Sequence, residues 1–349
     1  MAAGSLGGHG RFSRMMRVDV VIPTWNGRHL LPFCLEALTR QQDVALEILL
    51  VDNGSTDDTV EWLGRHHAHI RCLSLPENQG FAAAVNAGVA ASGNDFVLVL
   101  NNDAALAPLY VSTLATFLSA TPAAAAVQGR ILRHVDPTRI DSLGICFDAL
   151  LRAFQCGYDE PDPGPGPPCQ VSGVTASAAL YRRSALTQVA DPGIPPAIFD
   201  PRFFAYYEDV DLSLRLRAAG WETWLEPATS CQHVGSATGG EGSMGKAFLL
   251  GRNYLLYTAR HLGGPGLLRL TPGLLGRGLR RLLTWPLHPR RDTALWAGEL
   301  AALPRLPRAF RLGRHARRPL APGAATPPPA SSYGQKKPHC HQSYPRRNP

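Results

Sequence analysis

Short polar side chains follow three apolar runs in the N-terminal part of the chain, where they could bind a flat, polar ligand. Residues 24–27 (TWNG) follow the first run, residues 52–57 (DNGSTD) the second and residues 101–103 (NND) a later one. Glycine permits tight turns that approach a ligand closely, while the side chains donate and accept hydrogen bonds. The carboxylate of Asp52 only accepts hydrogen bonds, which suits an imide N–H or a ribose hydroxyl.

Turn and capping chemistry offers a simpler explanation for each loop, because Asn, Gly, Ser, Thr and Asp are typical of turns and helix N-caps. The presence of residues 24–27 together with residues 52–57 favours ligand binding. Residues 101–103 stay open between a turn and a cation site. A carboxylate flanked by amides suits a hard divalent cation that also holds phosphate oxygens.

Three carboxylates, Glu208, Asp209 and Asp211, stand behind an aromatic run at the predicted start of an amphipathic helix over 208–220. Acids in a first turn complement the helix dipole, which is a structural explanation. A carboxylate beside an aromatic surface is also a candidate general base. Helical spacing puts Asp211 near Glu208, whereas Asp209 faces elsewhere. His233 lies near a strand end, where a lone histidine is more often structural than a metal ligand.

The sequence between these loops predicts a scaffold that brings them together. The predicted strands are residues 18–23, 45–52, 70–75 and 96–100, and the predicted helices are residues 28–41, 57–66 and 80–91. Apolar strands separated by helices are typical of a parallel sheet covered on both faces, and ligands bind at the carboxyl ends of its strands. The predicted fold class is therefore α/β, with a mostly parallel, Rossmann-like sheet and helices on both faces.

The pattern is less regular beyond about residue 130. Residues 159–168 (DEPDPGPGPP) predict a mobile surface loop. The glycine-rich residues 235–247 suit either a lid over the site or an ordinary surface loop, and a helix is predicted over 246–261. A leucine- and arginine-rich region follows, and the Pro/Ala/Ser-rich residues 319–349 predict a disordered tail.

Composition excludes several classes of protein. The chain has 349 residues, of which 45% are hydrophobic and 18% charged, so it is not wholly disordered. It has no run of 18 apolar residues and no apolar N-terminal segment, so we expect a cytoplasmic chain without a spanning helix or signal peptide. The seven cysteines show no CxxC pair or zinc-ligand spacing, which predicts ordinary reduced thiols.

Charge divides the chain into two unlike parts. Residues 1–259 carry 18 basic and 25 acidic residues, whereas residues 260–349 carry 17 basic and 2 acidic ones. The basic part suits phosphates, an anionic membrane or nucleic acid, but no recognition motif accompanies the arginines, so no nucleic acid is expected. We expect residues 290–318 to contact an anionic membrane peripherally. The segment before about residue 290 predicts a helical cap whose arginines face water.

The polar loops form part of a longer series of motifs. The series is VVIPTWNG (20–27), LLVDNGSTDDT (49–59), ENQGFAAAVNAG (77–88), LVLNNDA (98–104), SGVTASAALYRRSAL (172–186), FFAYYEDVDLSLRLRAAGW (203–221), HVGS (233–236) and GRNYLLY (251–257). In this order and spacing, the motifs resemble the inverting family 2 glycosyltransferases with a GT-A fold, and most of all the bacterial rhamnosyltransferase-like branch. The resemblance covers roughly residues 17–260.

The resemblance implies a role for each matching residue. Asp209 would be the general base, supported by Glu208 and Asp211. Asp103 and His233 would hold Mg²⁺ or Mn²⁺ against the donor diphosphate. Asn101 stands where many members have an aspartate, which implies a thinner metal shell. The residues that would bind the donor are Pro23, Thr24, Asn26, Asp52, Asn78, Gly80, Asn86 and Asn102.

The expected activity is transfer of a sugar, such as rhamnose, from a dTDP- or UDP-linked donor to a hydroxyl of a saccharide or glycolipid, in cell-surface polysaccharide synthesis. The enzyme would be cytoplasmic, with peripheral contact at the inner face of the cell membrane. The alternatives are a polyprenyl-phosphate sugar synthase and a non-catalytic subunit that binds nucleotide sugars. The expected organisation is a flexible segment 1–16, a catalytic domain 17–260, a basic helical region 261–318 and the disordered tail 319–349.

Overall fold

A computed structural model describes residues 15–192, 196–235 and 243–315. The strands in these residues are β1 (Arg17–Thr24), β2 (Ala45–Asp52), β3 (Arg71–Ser74), β4 (Phe96–Leu100), β5 (Ala104–Leu106), β6 (Ala124–Arg133), β7 (Asp136–Ser142), β8 (Ile145–Phe147), β9 (Ala153–Gln155), β10 (Cys169–Gln170), β11 (Ala178–Arg182) and β12 (Glu222–His233). The helices are α1 (Leu31–Thr39), α2 (Thr59–His66), α3 (Phe81–Ala90), α4 (Tyr110–Ala120), α5 (Arg183–Val189), α6 (Glu208–Ala218), α7 (Met244–Thr284), α8 (Pro289–Ala302) and α9 (Leu306–His315).

Ten of these strands form one mixed sheet in the order β10-β12-β6-β11-β4-β1-β2-β3, with β5 beside β12 and β7 beside β6. The strands β3, β2, β1 and β4 run parallel, whereas β11 is antiparallel to both β4 and β6. Within the described residues, β8 and β9 form a separate hairpin. The predicted α/β fold with a largely parallel N-terminal sheet is confirmed.

Consecutive residues of each central strand enter opposite cores, which is why these strands are apolar throughout. Ile22 of β1 and Leu98 of β4 pack on one face of the sheet, with α1 and α4. Val21 and Val99 pack on the other face, with α3 and α6. Helices on both faces leave the carboxyl edge of the sheet as the place where the polar loops emerge.

The C-terminal helices pack onto the α/β part of the chain. Tyr254 and Tyr257 of α7 share a core with Val210 of α6, and Ala302 and Ala309 complete it. The helix α7 runs through the expected domain boundary at residue 260 and breaks three residues later, at Gly263, where φ is +64°. None of the described helices is both long enough and apolar enough to cross a membrane.

Two features of the middle region differ from expectation. Residues 159–168 are irregular as predicted, yet they are tied to β6 by ion pairs of Asp159 with Arg133 and of Asp162 with Arg130. The prediction that all cysteines are reduced is wrong for Cys146 and Cys156, which form a disulfide with a Cα–Cα distance of 5.2 Å. The β8–β9 hairpin brings the two cysteines together, a proximity that their separation in sequence does not reveal.

Some expectations fall on residues that the structure does not describe. These are most of the flexible segment 1–16, most of the candidate lid 235–247 and the whole tail 319–349.

Candidate active site

The loops after β1 and β2 are bound to one another at the carboxyl edge of the sheet. Thr24 and Asp52 are register neighbours in the last pair of these strands. Asn26 adopts a positive φ of 49°, and its Oδ1 accepts hydrogen bonds from the backbone N–H groups of Thr56 at 2.7 Å and Asp57 at 3.3 Å. These bonds fix the two loops as one unit.

The loop after β4 joins this unit directly. The side-chain amide of Asn102 donates to Thr24 Oγ1 at 2.7 Å, and both side chains are buried. A side chain at Gly27 would overlap Asn102 and Thr24. Glycine is therefore required there for the two loops to approach. The predicted meeting of Thr24, Asn26, Asp52 and Asn102 at one edge is what the structure shows.

Turn chemistry accounts for Asp57 better than for Asp52. Asp57 accepts hydrogen bonds from both the backbone N–H and the hydroxyl of Thr59, at the start of α2. Asp52 is 3% exposed, and its Oδ1 accepts one long bond of 3.3 Å from the Ser55 N–H. The Asp52 carboxylate thus retains acceptor capacity for a ligand at the edge of the sheet.

Asn53, which was given no role from the sequence, holds the loop before α3. Its amide N–H group donates to Asn78 Oδ1 at 3.0 Å and to the carbonyl of Gly80 at 3.2 Å. Gly80 has a φ of +87°, and a Cβ there would overlap the ring of Phe204. The loop that carries Asn78 and Gly80 therefore touches the segment that leads to Glu208.

The structure places two of the expected donor-binding residues differently. The amide of Asn86 is engaged with the backbone of Ile198 and Phe199, donating at 2.6 Å and accepting at 2.9 and 3.1 Å. Pro23 lies within β1, paired in register with Val51 of β2. Asn86 thus anchors residues 198–199, which precede Glu208 and Asp209 in the chain. Pro23 lies near the end of the strand from which the first loop emerges.

Asp103 and His233 meet beside the end of β4, since β12 pairs with β5 at this point. Nε2 of His233 lies 3.2 Å from Asp103 Oδ1 and 3.2 Å from the side-chain nitrogen of Asn101. Nδ1 of His233 lies 2.8 Å from Asp141 Oδ2. The backbone N–H of Gly235 donates to the other oxygen of Asp103 at 3.2 Å. One imidazole therefore stands between two carboxylates.

The carboxylates control the charge of this cluster. Burial disfavours a charged His233, but the bonds to Asp103 and Asp141 outweigh burial and raise the pKa of His233 to about 10. Burial likewise opposes ionisation of Asp103, but the His233 contact holds the pKa of Asp103 below its usual value. The two carboxylates thus stabilise a positive charge on the His233 ring, and a metal ion would have to replace its proton at Nε2.

The residues present fit a divalent cation with a sparse protein shell. Asp103 Oδ1 is buried beside His233 Nε2, and their distance of 3.2 Å suits adjacent ligands of one six-coordinate ion once the ring has lost its proton. Within the described part of the chain, no set of three or more His, Cys, Asp or Glu side chains is arranged to hold a metal. A cation here would need oxygens from a ligand or water.

Glu208 and Asp209 form an acidic pair in the first turn of α6. Asp209 Oδ2 accepts a hydrogen bond from the Ala176 N–H at 3.3 Å, and Oδ1 accepts one from the Val210 N–H at 2.8 Å. Glu208 is 6% exposed, and its Oε2 has no partner. Burial and the neighbouring Asp209 raise the pKa of Glu208, and burial raises the pKa of Asp209. A carboxylate with a raised pKa is a stronger base.

Asp211 lies in a different environment from this pair. It is fully buried, and it accepts hydrogen bonds from Arg215 at 2.8 Å and from Arg260 at 3.1 Å. His261 Nε2 lies 2.8 Å from its other oxygen. Burial opposes its charge, but Arg260 and Arg215 hold the pKa of Asp211 far below the usual range. Asp211 therefore joins α6 to α7 through buried ion pairs.

The backbone before the acidic pair is strained and is held by α7. Phe204, Tyr206 and Tyr207 have φ values of +64°, +69° and +72°, which are unfavourable for aromatic residues. The fully buried amide of Asn253 lies 2.7–2.9 Å from three backbone carbonyls of residues 203–206, to which it donates. Asn253 belongs to the GRNYLLY motif, but the sequence predicted no role for this residue.

Residues 176 and 177 connect the Asp103–His233 cluster to the Glu208–Asp209 pair. The Asn101 N–H donates to the carbonyl of Ser177 at 2.8 Å, while Ala176 donates to Asp209. The loops after β1, β2 and β4, the Asp103–His233 cluster and the Glu208–Asp209 pair are thus parts of one edge of the sheet.

Comparison with known proteins agrees with this architecture. Residues 19–189 match the family model described as Glycosyl transferase family 2. An N-acetylglucosaminyl-diphospho-decaprenol L-rhamnosyltransferase of Mycobacterium tuberculosis is 30% identical to this chain over 277 residues, which cover 70% of this chain and 85% of the relative.

Solved structures share the fold at low sequence identity. A structure of GalNAc-T7 with UDP, GalNAc and Mn²⁺ has a TM-score of 0.56 and 14% identity, over 71% of this chain and 48% of that one. A structure of residues 1–349 of S. aureus TarS has a TM-score of 0.51 and 14% identity, over 86% of this chain and 88% of that one. The chain belongs to glycosyltransferase family 2 and is a glycosyltransferase with the GT-A fold.

Proposed function

We propose that this chain transfers a sugar, with inversion, from a dTDP- or UDP-linked donor to a hydroxyl of a saccharide or lipid-linked acceptor. The observation that supports this most directly is the connection of Asn101, which contacts His233, to Asp209 through residues 176–177. This connection links the Asp103–His233 cluster to a carboxylate of raised pKa. A donor diphosphate and an acceptor hydroxyl need these two kinds of group.

The donor nucleotide lies, in this proposal, across the loops after β1, β2 and β4. Asp52 accepts a hydrogen bond from the base, while Thr24, Asn26 and Asn102 frame the pocket through the contacts that bind their loops together. Asn78 and Gly80 border the same pocket from the loop that Asn53 holds. The name of the mycobacterial relative supports rhamnose as the sugar. The proposed process is cell-surface polysaccharide synthesis.

Mg²⁺ or Mn²⁺ is the proposed cofactor, held by Asp103 and His233, with Asp141 orienting His233. Such an ion neutralises charge that develops on the leaving diphosphate. Asn101 supplies no negative charge, so donor oxygens and water complete the shell. The Mn²⁺ in the GalNAc-T7 structure, which has the same fold, supports this cofactor.

Asp209 acts as the general base. It takes the proton of the acceptor hydroxyl as that oxygen bonds to the anomeric carbon, and the bond from this carbon to the diphosphate breaks on the opposite side. This single displacement inverts the anomeric configuration. Glu208, whose pKa burial and the Asp209 charge raise, stays protonated beside Asp209, whereas Asp211 acts only by holding α6 against α7.

A hydroxyl acceptor is favoured over the lipid phosphate that a polyprenyl-phosphate sugar synthase uses. A phosphate acceptor is already ionised and needs no base, whereas the buried Glu208–Asp209 pair is suited to removing a proton. The relative named for N-acetylglucosaminyl-diphospho-decaprenol supports an acceptor sugar on a lipid carrier. Such an acceptor stays at the membrane, so we propose peripheral association at the inner face of the cell membrane.

A nucleotide-release assay across dTDP-, UDP- and GDP-sugars, with and without Mn²⁺, tests the donor and the cofactor. The acceptors are an N-acetylglucosaminyl-diphospho-lipid analogue and a polyprenyl phosphate, with products separated by thin-layer chromatography. We expect dTDP-rhamnose to react with the first acceptor and to require the cation. Product formed only on the polyprenyl phosphate would contradict the hydroxyl acceptor, and full turnover without a cation would contradict the cofactor.

A further inference from the structure

The second half of α7 places a row of leucines in solvent. Beyond the break at Gly263, these side chains and one just after the helix are each 60–74% exposed. The row consists of Leu268, Leu275, Leu279, Leu282, Leu283 and Leu287, and we call it the leucine face. Globular proteins bury most leucines, and a contiguous exposed apolar surface marks a site of contact.

Helical spacing makes the leucine face one continuous surface. Its helical members recur at intervals of seven, four, three and one residues, so they fall on one side of α7. The opposite side packs on the protein, where Glu299 of α8 accepts hydrogen bonds from Arg277 at 3.0 Å and Arg281 at 2.8 Å. These contacts hold the leucine face outward.

The charge around the leucine face is positive. Residues 264–291 contain six arginines and no lysine, aspartate or glutamate. Arg269 and Arg280 are exposed beside the leucines, and Trp285 is 44% exposed at the end of the helix. Arginine stems lie along apolar surface while their guanidinium groups reach phosphates, and tryptophan favours the membrane interface.

We propose that the leucine face binds an anionic phospholipid surface, with the leucines at the acyl boundary and the arginines at headgroup phosphates. Charge favours this occupant over a second copy of the chain, since a second copy would bring like charges together. The proposal deepens the peripheral association in the proposed function and rests on it only for the nature of the acceptor.

This assignment moves the membrane contact from residues 290–318 to residues 264–287. In the described part of residues 290–318, the small side chains of α8 and α9 are turned inward. Ala294, Ala302 and Ala309 are at most 5% exposed, and Phe310 packs against the core formed with α7. Leu300 and Leu303 of this segment are exposed singly, whereas the six members of the leucine face lie in the segment for which the sequence predicted a water-facing helical cap.

Co-sedimentation of the full chain with vesicles tests the proposal. One set of vesicles contains phosphatidylglycerol and phosphatidylcholine, and the other contains phosphatidylcholine alone. The variant L275S/L279S/L283S removes three members of the leucine face. The control V60S/L109S/V135S removes three exposed aliphatic side chains of the catalytic part, which are 41%, 47% and 74% exposed.

We expect the parent to bind the anionic vesicles at low salt and to release them as salt screens the arginines. The leucine variant should lose about tenfold or more of its partitioning, because less apolar surface leaves water, while the control partitions like the parent. The proposal would be overturned if the parent bound both vesicle types equally or failed to bind the anionic vesicles at low salt. It would also be overturned if the leucine variant bound these vesicles as well as the parent does.

Two further readouts separate the alternatives. Sedimentation velocity tests self-association, and a dimer that the leucine variant abolishes, without vesicle binding by the parent, would assign the face to a second copy. Nucleotide release with a soluble acceptor analogue tests the proposed function separately. We expect both variants to retain that turnover. If neither the parent nor the variants turned over the donor, the result would count against the proposed function and leave the vesicle result standing.

Discussion

Nδ1 of His233 lies 2.8 Å from Oδ2 of Asp141, while Nε2 of the same ring faces Asp103 at 3.2 Å. The contact joins β7 and β12 across β6, which pairs with both strands. A carboxylate on one ring nitrogen fixes the orientation of the other, which is how proteins prepare histidine to bind a metal. His233 is therefore positioned before any ligand arrives.

We predict that Asp141→Asn weakens the Mn²⁺-dependent binding of UDP or dTDP by about tenfold to a hundredfold, the usual effect of losing such an orienting carboxylate. Isothermal titration calorimetry with and without Mn²⁺ measures it. Asp136→Asn is the matched control, since Asp136 lies on the same strand and contacts Thr138 and Arg139 at the surface. Equal losses in both variants would contradict a specific role for Asp141.

We predict that Asp103→Ala lowers the affinity for dTDP or UDP chiefly when a divalent cation is present. The variant removes the carboxylate that lies 3.2 Å from Nε2 of His233, and a free nucleoside has no diphosphate to share with a cation. Calorimetry with the nucleoside diphosphate and with the nucleoside makes the comparison. An unchanged cation-dependent affinity would make Asp103 a turn residue.

The pH dependence of transfer should report the acidic pair. Burial raises the pKa of Asp209 above its ordinary value of 3.8, and the base works only when ionised. Activity should therefore be lost as the pH falls through this raised pKa, earlier than for an ordinary aspartate. Burial and the Asp209 charge raise the pKa of Glu208 well above its usual value, so Glu208 stays protonated while Asp209 ionises. The equally neutral Glu208→Gln should therefore leave the acid limb of kcat/KM in place. A limb that moves to lower pH in Glu208→Gln would show that Glu208 is charged while Asp209 titrates and would contradict this assignment.

We predict that Asn253→Ala destabilises the fold by about 1–3 kcal/mol, because buried carbonyls of the strained segment lose their donor. The kcat for transfer should fall as well, since this segment leads directly into the acidic pair. Urea denaturation and steady-state kinetics measure the two effects. Gln42→Ala, at an exposed amide, is the control. Parental stability and kcat in Asn253→Ala would show that other contacts maintain the segment.

The sequence predicts those parts of the site that follow from the parallel sheet. The alternation of apolar runs and helices identifies β1 to β4, and the carboxyl ends of parallel strands meet, so Thr24, Asp52 and Asn102 were expected at one edge. Residue chemistry and the family resemblance also indicated Asp103, His233 and Asp209. Each of these residues lies within or next to an element with a clear periodic pattern.

The residues that hold the site in place could not be predicted in the same way. Asp141 reaches His233 only because a hairpin strand and the last strand flank β6, a relationship that no local pattern encodes. Asn253 acts on a segment 47–50 residues earlier in the chain. Helical spacing separated Asp211 from Asp209, but Arg260, which neutralises Asp211, comes from the start of the basic C-terminal part.

The central claim is that Asp209 is the base of a glycosyl transfer carried out at this edge of the sheet. Its most direct test is the rate of product formation from dTDP-rhamnose by Asp209→Asn, with donor binding measured on the same preparation and Asp43→Asn, at an exposed position, as the control. We expect parental folding and donor affinity with a loss of several orders of magnitude in transfer, because the amide packs alike but takes no proton. Transfer within about tenfold of the parent, a difference of about 1.4 kcal/mol, would contradict the account.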